Sequence, residues 1–218
     1  MVQNAPGKAG EAGLSAVNGG CDVRFPTVEL RLPGWIEELV PPDRIYPTPE
    51  DRMRLAVELS RENVRRGTGG PFGAAIFERD TGRLVAPGVN LVVTAGCSAF
   101  HAEMVAIMVA QRSTGSFDLG APGMPACELV ASTEPCAMCL GATPWSGVRG
   151  LLCGARDEDA GAIGFDEGPK PPHWTRRLEE RGITVVQDVL REEAVAVLRE
   201  YAATGGEIYN SRQGEGPP

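Results

Sequence analysis

Short apolar runs alternate along this chain with longer segments whose hydrophobic positions recur at helical spacing. The short runs are typical of buried strands, and the longer segments are typical of helices. Strands are predicted at 72–77, 84–93, 127–132, 148–155 and 183–189, and helices at 48–66, 99–110, 136–145, 174–181 and 192–203. This order predicts an α/β fold, a three-layer α/β/α sandwich in which helices cover both faces of a mixed β-sheet.

The boundaries of several elements are marked by capping and turn residues. Thr48 is a typical N-cap, and Pro49 suits the first position of the helix that follows. Glycines at 67–70 end this helix. The turn at 80–82 predicts a β-hairpin between the first two strands. The glycine- and acid-rich segment 157–168 is predicted to be a loop.

The N-terminal segment differs in composition from the rest of the chain. Residues 1–27 are rich in Gly, Ala, Asn and Ser, with few residues that can pack, and they are interpreted as a disordered leader. A proline-rich connector follows. Residues 28–218 are predicted to form a single domain, which is long enough to bury a substantial core.

Composition and charge exclude several classes of function. The 218-residue chain has a formal net charge of −8, which argues against nucleic acid as a partner because such binding relies on clustered Lys and Arg. It has no run of about 18 apolar residues, so no membrane association is expected. Its N-terminus does not resemble a secretion signal, and we expect a cytoplasmic protein. In a reducing compartment, a C-x-x-C motif indicates metal binding or redox chemistry before a structural disulfide.

One histidine and two cysteines form a candidate metal site. His101 stands at the start of a predicted buried helix, and Cys136 and Cys139 follow a strand in the stretch STEPCAMCLG. Three protein ligands leave one tetrahedral position of zinc open, as in catalytic sites, so one Zn²⁺ per chain is predicted. Cys127 and Cys153 lie in strand-like apolar runs and are interpreted as small buried hydrophobic residues.

The spacing of these residues places the metal beyond the ends of two helices. His101 and Glu103 are two residues apart and would point to nearly opposite sides of a regular helix. They can approach one ion only if it lies off the helix N-terminus, and Pro135 gives Cys136 the same location on its own helix. A carboxylate there can take a proton from water and return it to a substrate, so Glu103 is the predicted catalytic residue.

The combination His-x-Glu followed by Pro-Cys-x-x-Cys is the signature of zinc nucleobase deaminases. From about residue 48 to the C-terminal tail, the chain resembles the guanine deaminases of the cytidine-deaminase superfamily, in the stretches HAEMVAI, STEPCAMCLGA and AIGFDEG. It is also similar to a bacterial branch that acts on guanine and ammeline. The resemblance implies a cytidine-deaminase-like fold and zinc-dependent hydrolysis of guanine to xanthine and ammonia, with ammeline as a further substrate.

The resemblance also implies a set of base-binding residues. Phe72 matches an aromatic residue that flanks the base, and Asn90 matches a side chain that hydrogen-bonds it. Glu167 matches a carboxylate that holds the ring, with the neighbouring Asp166 as its alternative. A carboxylate is a natural acceptor for the N–H groups of guanine.

Trp145 is a further candidate for the pocket wall, with packing as the alternative interpretation. It follows Pro144, which stands where the family carries a small or β-branched residue. Because proline bends or ends a helix, Pro144 is expected to displace this part of the wall and to affect substrate preference.

Several alternatives stay open at this point. The same metal motif serves deaminases of other small heterocyclic bases or nucleosides, and tRNA adenosine deaminases. The second group is disfavoured by the charge of −8. A further alternative is a zinc-binding module without catalytic activity, but it assigns no role to Glu103. The resemblance further implies a homodimer whose C-terminal tail closes over a base pocket, which rests on analogy alone.

Overall fold

A computed structural model of the chain describes residues 25–211, and five strands in this range form one sheet. The strands are β1 (Gly73–Glu78), β2 (Leu84–Val89), β3 (Cys127–Thr133), β4 (Gly150–Ala155) and β5 (Thr184–Val186). Their order across the sheet is β2-β1-β3-β4-β5. Strand β1 is antiparallel to β2 and β3, whereas β3, β4 and β5 are parallel. The sheet is therefore mixed, which confirms the prediction.

Helices cover both faces of this sheet. They are α1 (Trp35–Leu39), α2 (Pro49–Arg65), α3 (Val92–Ala95), α4 (Ala102–Thr114), α5 (Ala137–Trp145), α6 (Asp157–Gly161), α7 (Trp174–Glu179) and α8 (Arg191–Ala203). Apolar residues of α2 and α8 belong to one core cluster, and most buried apolar residues of α4, with Leu140 of α5 and Leu178 of α7, belong to a second. The three-layer α/β/α architecture is thus confirmed.

The alternation of side chains along β1 explains why there are two core clusters. Ala75 and Phe77 are buried in the cluster that contains α2 and α8, while Ala74 and Ile76 are buried in the cluster that contains α4 and α5. Successive side chains of a strand point to opposite faces of the sheet. All six residues of β1 are buried, which is why the run is apolar or small from Gly73 to Phe77; Glu78, at the end of the strand, forms an ion pair with Arg83.

Helix α2 begins as its capping residues predict, and it carries a buried ion pair. The hydroxyl of Thr48 accepts a hydrogen bond from the backbone N–H of Asp51 at 3.1 Å. One turn later, Arg52 forms an ion pair with Glu128 of β3, and the side chains of the two residues are 7% and 5% exposed. Arg52 Nε also donates to the carbonyl of Tyr46 at 2.8 Å. These contacts attach the connector and α2 to the sheet.

Four predicted segments differ clearly from the structure, and one of them is the strand predicted over 183–189, of which only Thr184–Val186 is formed. The strand predicted over 84–93 ends at Val89, because Asn90 Oδ1 accepts a hydrogen bond from Val92 N at 3.2 Å and so starts the turn into α3. The loop predicted at 157–168 begins with the short helix α6, at whose start the carboxylate of Asp159 accepts a hydrogen bond from Arg156 N at 2.8 Å. The connector contains α1, a helix too short to show periodicity.

One prediction falls mostly outside the residues that the structure describes. The predicted leader, residues 1–27, lies outside the described residues except for 25–27, and residues 212–218 lie outside them too. Within residues 25–211, no helix is long and apolar enough to cross a membrane.

Candidate active site

The N-termini of α4 and α5 meet at one point and bring the predicted metal ligands together. His101 is the N-cap residue of α4 and Cys136 is the N-cap residue of α5, both with extended backbone. Cys136 Sγ lies 3.4 Å from His101 Nδ1. One ligand atom from each of His101, Cys136 and Cys139 lies within 4.8 Å of the other two.

The chemistry of these three donors fits zinc. Imidazole nitrogen and thiolate sulfur are the ligands that zinc takes in proteins. Hydrogen bonding from Cys139 lowers the pKa of the Cys136 thiol to about 4, despite its burial, and favours the thiolate that binds metal. Within residues 25–211, this is the one group of three or more His, Cys, Asp or Glu side chains close enough to share an ion. Cys127 and Cys153 are buried in β3 and β4.

Glu103 lies beside these ligands in the first turn of α4. The residue is 7% exposed. Burial, and the negative charge of Cys136 next to it, raise the pKa of Glu103 to about 7, while His101 acts in the opposite direction. A carboxyl group whose pKa is near the working pH can both accept and donate a proton, as general acid–base catalysis requires.

A cavity of about 420 Å³ opens onto this group. His101, Glu103 and Cys136 line it, together with residues from the end of β2, from segment 165–169 and from segment 209–211. It therefore combines a candidate metal centre, a buried carboxyl group and walls from distant parts of the sequence, which is the usual composition of an enzyme pocket.

Asn90 lines the cavity and has one unused hydrogen-bonding group. The residue is fully buried, and its Oδ1 is occupied by Val92 N. Its backbone carbonyl accepts a hydrogen bond from Asn63 Nδ2 at 2.9 Å, which fixes the position of the residue. Asn90 Nδ2 has no partner among the described residues. Because buried polar groups are normally paired, this amide is available to a ligand carbonyl.

Three aromatic rings form one wall of the cavity. Phe72 and Phe165 make an edge-to-face contact with ring centroids 4.9 Å apart, and Phe165 makes another with Tyr209 at 5.0 Å. All three residues line the cavity. Such a wall offers apolar surface to a flat heterocyclic ring.

The two acidic residues of the GFDEG stretch have different environments. Glu167 lines the cavity, and its burial raises the pKa of its carboxyl group to about 8. Asp166 is more exposed, and its Oδ1 accepts a hydrogen bond from Gly168 N at 2.9 Å within its own loop. Both residues line the cavity, and Glu167 is the more buried of the two, while the carboxylate of Asp166 is engaged within its own loop.

The C-terminal segment contributes contacts that the sequence-based interpretation did not assign to named residues. Tyr209 lines the cavity, and its hydroxyl has no partner among the described residues. Asn210 joins the tail to the GFDEG loop, because its Nδ2 donates to Gly164 O at 2.8 Å and its Oδ1 accepts from Asp166 N at 2.9 Å. The one available signal was the stretch EIYN, whose aromatic and amide side chains follow an otherwise polar turn.

The structure does not bring Trp145 to the cavity. Trp145 is 86% exposed and lines a separate surface groove with Pro144 and Trp174. Helix α5 continues through Pro144 and ends one residue later, so its far end points away from Cys136. The expectation that Pro144 displaces the pocket wall is therefore not supported, since neither residue is part of that wall.

The comparison with protein families agrees with this geometry. A family model described as the cytidine and deoxycytidylate deaminase zinc-binding region matches residues 47–155, half of the chain. The match includes the three candidate metal ligands and Glu103. The chain belongs to this family of zinc-binding deaminases.

Within the family, this chain is similar to guanine deaminases. The guanine deaminase of Bacillus subtilis (strain 168) is 37% identical over 143 residues, which cover 66% of this chain and 87% of the relative. The solved guanine deaminase from Nitrosomonas europaea is 51% identical, with a TM-score of 0.78, and the match covers 81% of this chain and 97% of that one. A structure of NE0047 in complex with 2,6-diaminopurine is 52% identical, with a TM-score of 0.80, covering 85% and 98%.

Proposed function

We propose that this protein is a guanine deaminase, which hydrolyses guanine to xanthine and ammonia at a zinc centre. The observation that carries the proposal is one cavity that combines the cluster of His101, Cys136 and Cys139 with the buried carboxyl of Glu103 and a second carboxyl, Glu167. Similarity to guanine deaminases of two bacteria supports the same substrate.

The base is held by the walls of the cavity. Asn90 Nδ2 donates a hydrogen bond to the guanine carbonyl, and the carboxyl group of Glu167 accepts from the N–H groups of the ring, which favour its charged form when the base is bound. Phe72 and Phe165 exclude water from the faces and edge of the heterocycle. These contacts orient the amino-bearing carbon, C2, toward Glu103.

Glu103 carries the protons of the reaction. It accepts a proton from the attacking water and delivers it to a ring nitrogen. It then takes a second proton from the hydroxyl group newly attached to C2 and passes it to the amine, so that a carbonyl forms at C2, the carbon–nitrogen bond breaks and ammonia leaves. His101, Cys136 and Cys139 hold the zinc, which, when bound, acts as a Lewis acid that lowers the pKa of water. The burial of Glu103, which brings its pKa to about 7, suits both directions of proton transfer.

A substrate panel tests the proposal. Purified protein is incubated with guanine, ammeline, cytidine, adenosine and tRNA, and ammonia release is measured. Guanine is expected to react well, ammeline to react as a second substrate because its triazine ring carries a similar amino–oxo edge, and the other three not to react. Turnover of cytidine at the rate of guanine, or of tRNA in preference to it, contradicts the proposal. The charge of −8 already disfavours tRNA.

We further propose that residues 28–218 act as one domain in a cytoplasmic homodimer that serves purine metabolism. Thiolate ligands need a compartment that keeps cysteines reduced, which supports the cytoplasm. An exposed apolar area supports self-association, since Trp145 is 86% and Met138 is 41% exposed on α5. Light scattering on the wild type and on Trp145→Glu tests the oligomer; a monomeric wild type contradicts it.

A further inference from the structure

Lys170 carries a buried positive charge on the loop that also carries Glu167. Its side chain is only 7% exposed. Its Nζ donates to the backbone carbonyl of Pro135 at 3.0 Å and forms an ion pair with Asp157. Burying a charge costs free energy unless the charge is paired and hydrogen-bonded. The ammonium group of Lys170 is therefore held in place by these partners.

A second carboxylate completes the surroundings of this lysine. Glu134 Oε2 lies 3.9 Å from Lys170 Nζ, and the Glu134 side chain is 6% exposed. The same oxygen accepts a hydrogen bond from Asp157 N at 3.3 Å, and the other oxygen accepts from Gln187 Nε2. Lys170 thus joins the end of β3, the start of α6 and its own loop.

Two attachments of the loop 167–170 to the start of α5 flank the candidate ligand Cys136. Pro135, whose carbonyl Lys170 holds, directly precedes Cys136. On the other side of Cys136, the N–H of Ala137 donates to the backbone carbonyl of Glu167 at 2.8 Å. The loop 167–170 is therefore attached to the start of α5 at both of its ends, with Cys136 between the two attachments.

We propose that Lys170 is a positioning residue that fixes the distance between the metal centre and the base-binding carboxylate of Glu167. Lys170 does not line the cavity and acts through the loop it anchors. The inference rests on the proposed function, in which Glu167 holds the base. The alternative is that the buried ion pair serves stability alone.

The main experiment is a double-mutant cycle: Lys170→Met and Glu167→Gln are measured separately and together. Methionine keeps the length of the side chain and removes its charge. Because the loop then loses a charge-assisted hydrogen bond, the KM for guanine is expected to rise about tenfold or more, while kcat changes little because ground-state and transition-state binding are lost together. In the Glu167→Gln background, Lys170→Met is expected to leave KM nearly unchanged, because both substitutions disrupt the same interaction between Glu167 and the base. Arg176→Met, which removes a positive charge from an exposed pair on α7, is the matched control and leaves KM unchanged.

The possible results distinguish a positioning role of Lys170 from a role in stability alone, and both from the proposed function. An unchanged KM in Lys170→Met, or an equal fold-change in both backgrounds, overturns the positioning role. The rate at which a chelator removes zinc is a second measurement, which does not depend on turnover. Lys170→Met is expected to release zinc several-fold faster than the wild type, because the carbonyl of Pro135 beside Cys136 is no longer held. Equal rates overturn the inference. Absence of guanine turnover by the wild type refutes the proposed function alone. If Lys170→Met does not fold, Asp157→Asn is measured in both assays, where unchanged values again overturn the inference.

Discussion

Replacing Glu103 by glutamine separates proton transfer from every other property of the site. The amide has nearly the shape of the carboxyl group, so the packing at this residue, which is 7% exposed, is preserved. It cannot exchange a proton. The pKa of about 7 implies that the wild-type group changes charge within the working pH range, and this property is lost completely.

The size of the effect follows from the role assigned to the residue. General acid–base catalysis contributes roughly 10²- to 10⁴-fold to a rate, which corresponds to about 2.7–5.4 kcal/mol at 1.36 kcal/mol per decade. We expect kcat for guanine to fall by that factor and KM to change little, because Asn90 and Glu167 hold the base. Zinc content stays at wild-type level, because the donor atoms of His101, Cys136 and Cys139 are unchanged.

The assay follows guanine consumption and ammonia release, with zinc content and thermal unfolding measured on the same samples. Glu192→Gln is a suitable control, since Glu192 is also in the first turn of a helix but is exposed on α8. A Glu103→Gln protein that is folded, holds zinc and keeps kcat within about tenfold of wild type would refute the assignment, because a general acid–base group is worth at least about a hundredfold.

Three further perturbations test other parts of the molecule. Cys139→Ala is expected to lose most of its zinc by elemental analysis, and full retention with normal activity contradicts the ligand set. Glu167→Gln should lower kcat/KM for guanine about ten- to hundredfold, mainly through KM, with zinc retained, as expected for a charge-assisted hydrogen bond. A wild-type kcat/KM would show that Glu167 is only a solvated acid in its loop. Arg52→Met leaves Glu128 buried without a partner and should reduce the free energy of unfolding by about 3–5 kcal/mol in urea denaturation, and a negligible loss contradicts this.

The parts of the fold that the sequence predicted are those with strong local patterns. Strands β1, β3 and β4 are buried on both faces, so their central residues are apolar or small, and the charged residues Glu78 and Glu128 stand near strand ends. The Thr48 cap and Pro49 specify the start of α2 through local hydrogen bonds. The short helices α1, α3 and α6 have four or five residues each, which is less than is needed to show a helical period.

The metal site was predictable because its ligands lie close together in two motifs, whereas the base pocket depends on tertiary contacts. The arrangement of His101 and Cys136 follows from their positions at two helix starts. By contrast, Trp145 was assigned to the pocket from its nearness in sequence to Cys139, but nine residues of α5 carry it away from the cavity. Tyr209 reaches the cavity because the tail after α8 packs against Phe165 and the GFDEG loop, and these contacts join residues that are 44 or 46 positions apart in the sequence.

The division of the cavity between two parts of the chain has a consequence for how such enzymes diversify. The metal ligands and Glu103 lie within residues 47–155, the segment shared with cytidine and deoxycytidylate deaminases. Glu167, Tyr209 and Asn210 come after it and are joined to one another through the GFDEG loop. Mutations in the tail can change which heterocycle is accepted while the metal ligands and Glu103 stay in place, whereas the loop 167–170 is attached to the start of α5 on both sides of Cys136. The same division offers a protein engineer Tyr209 and Asn210 as first positions at which to search for new substrates.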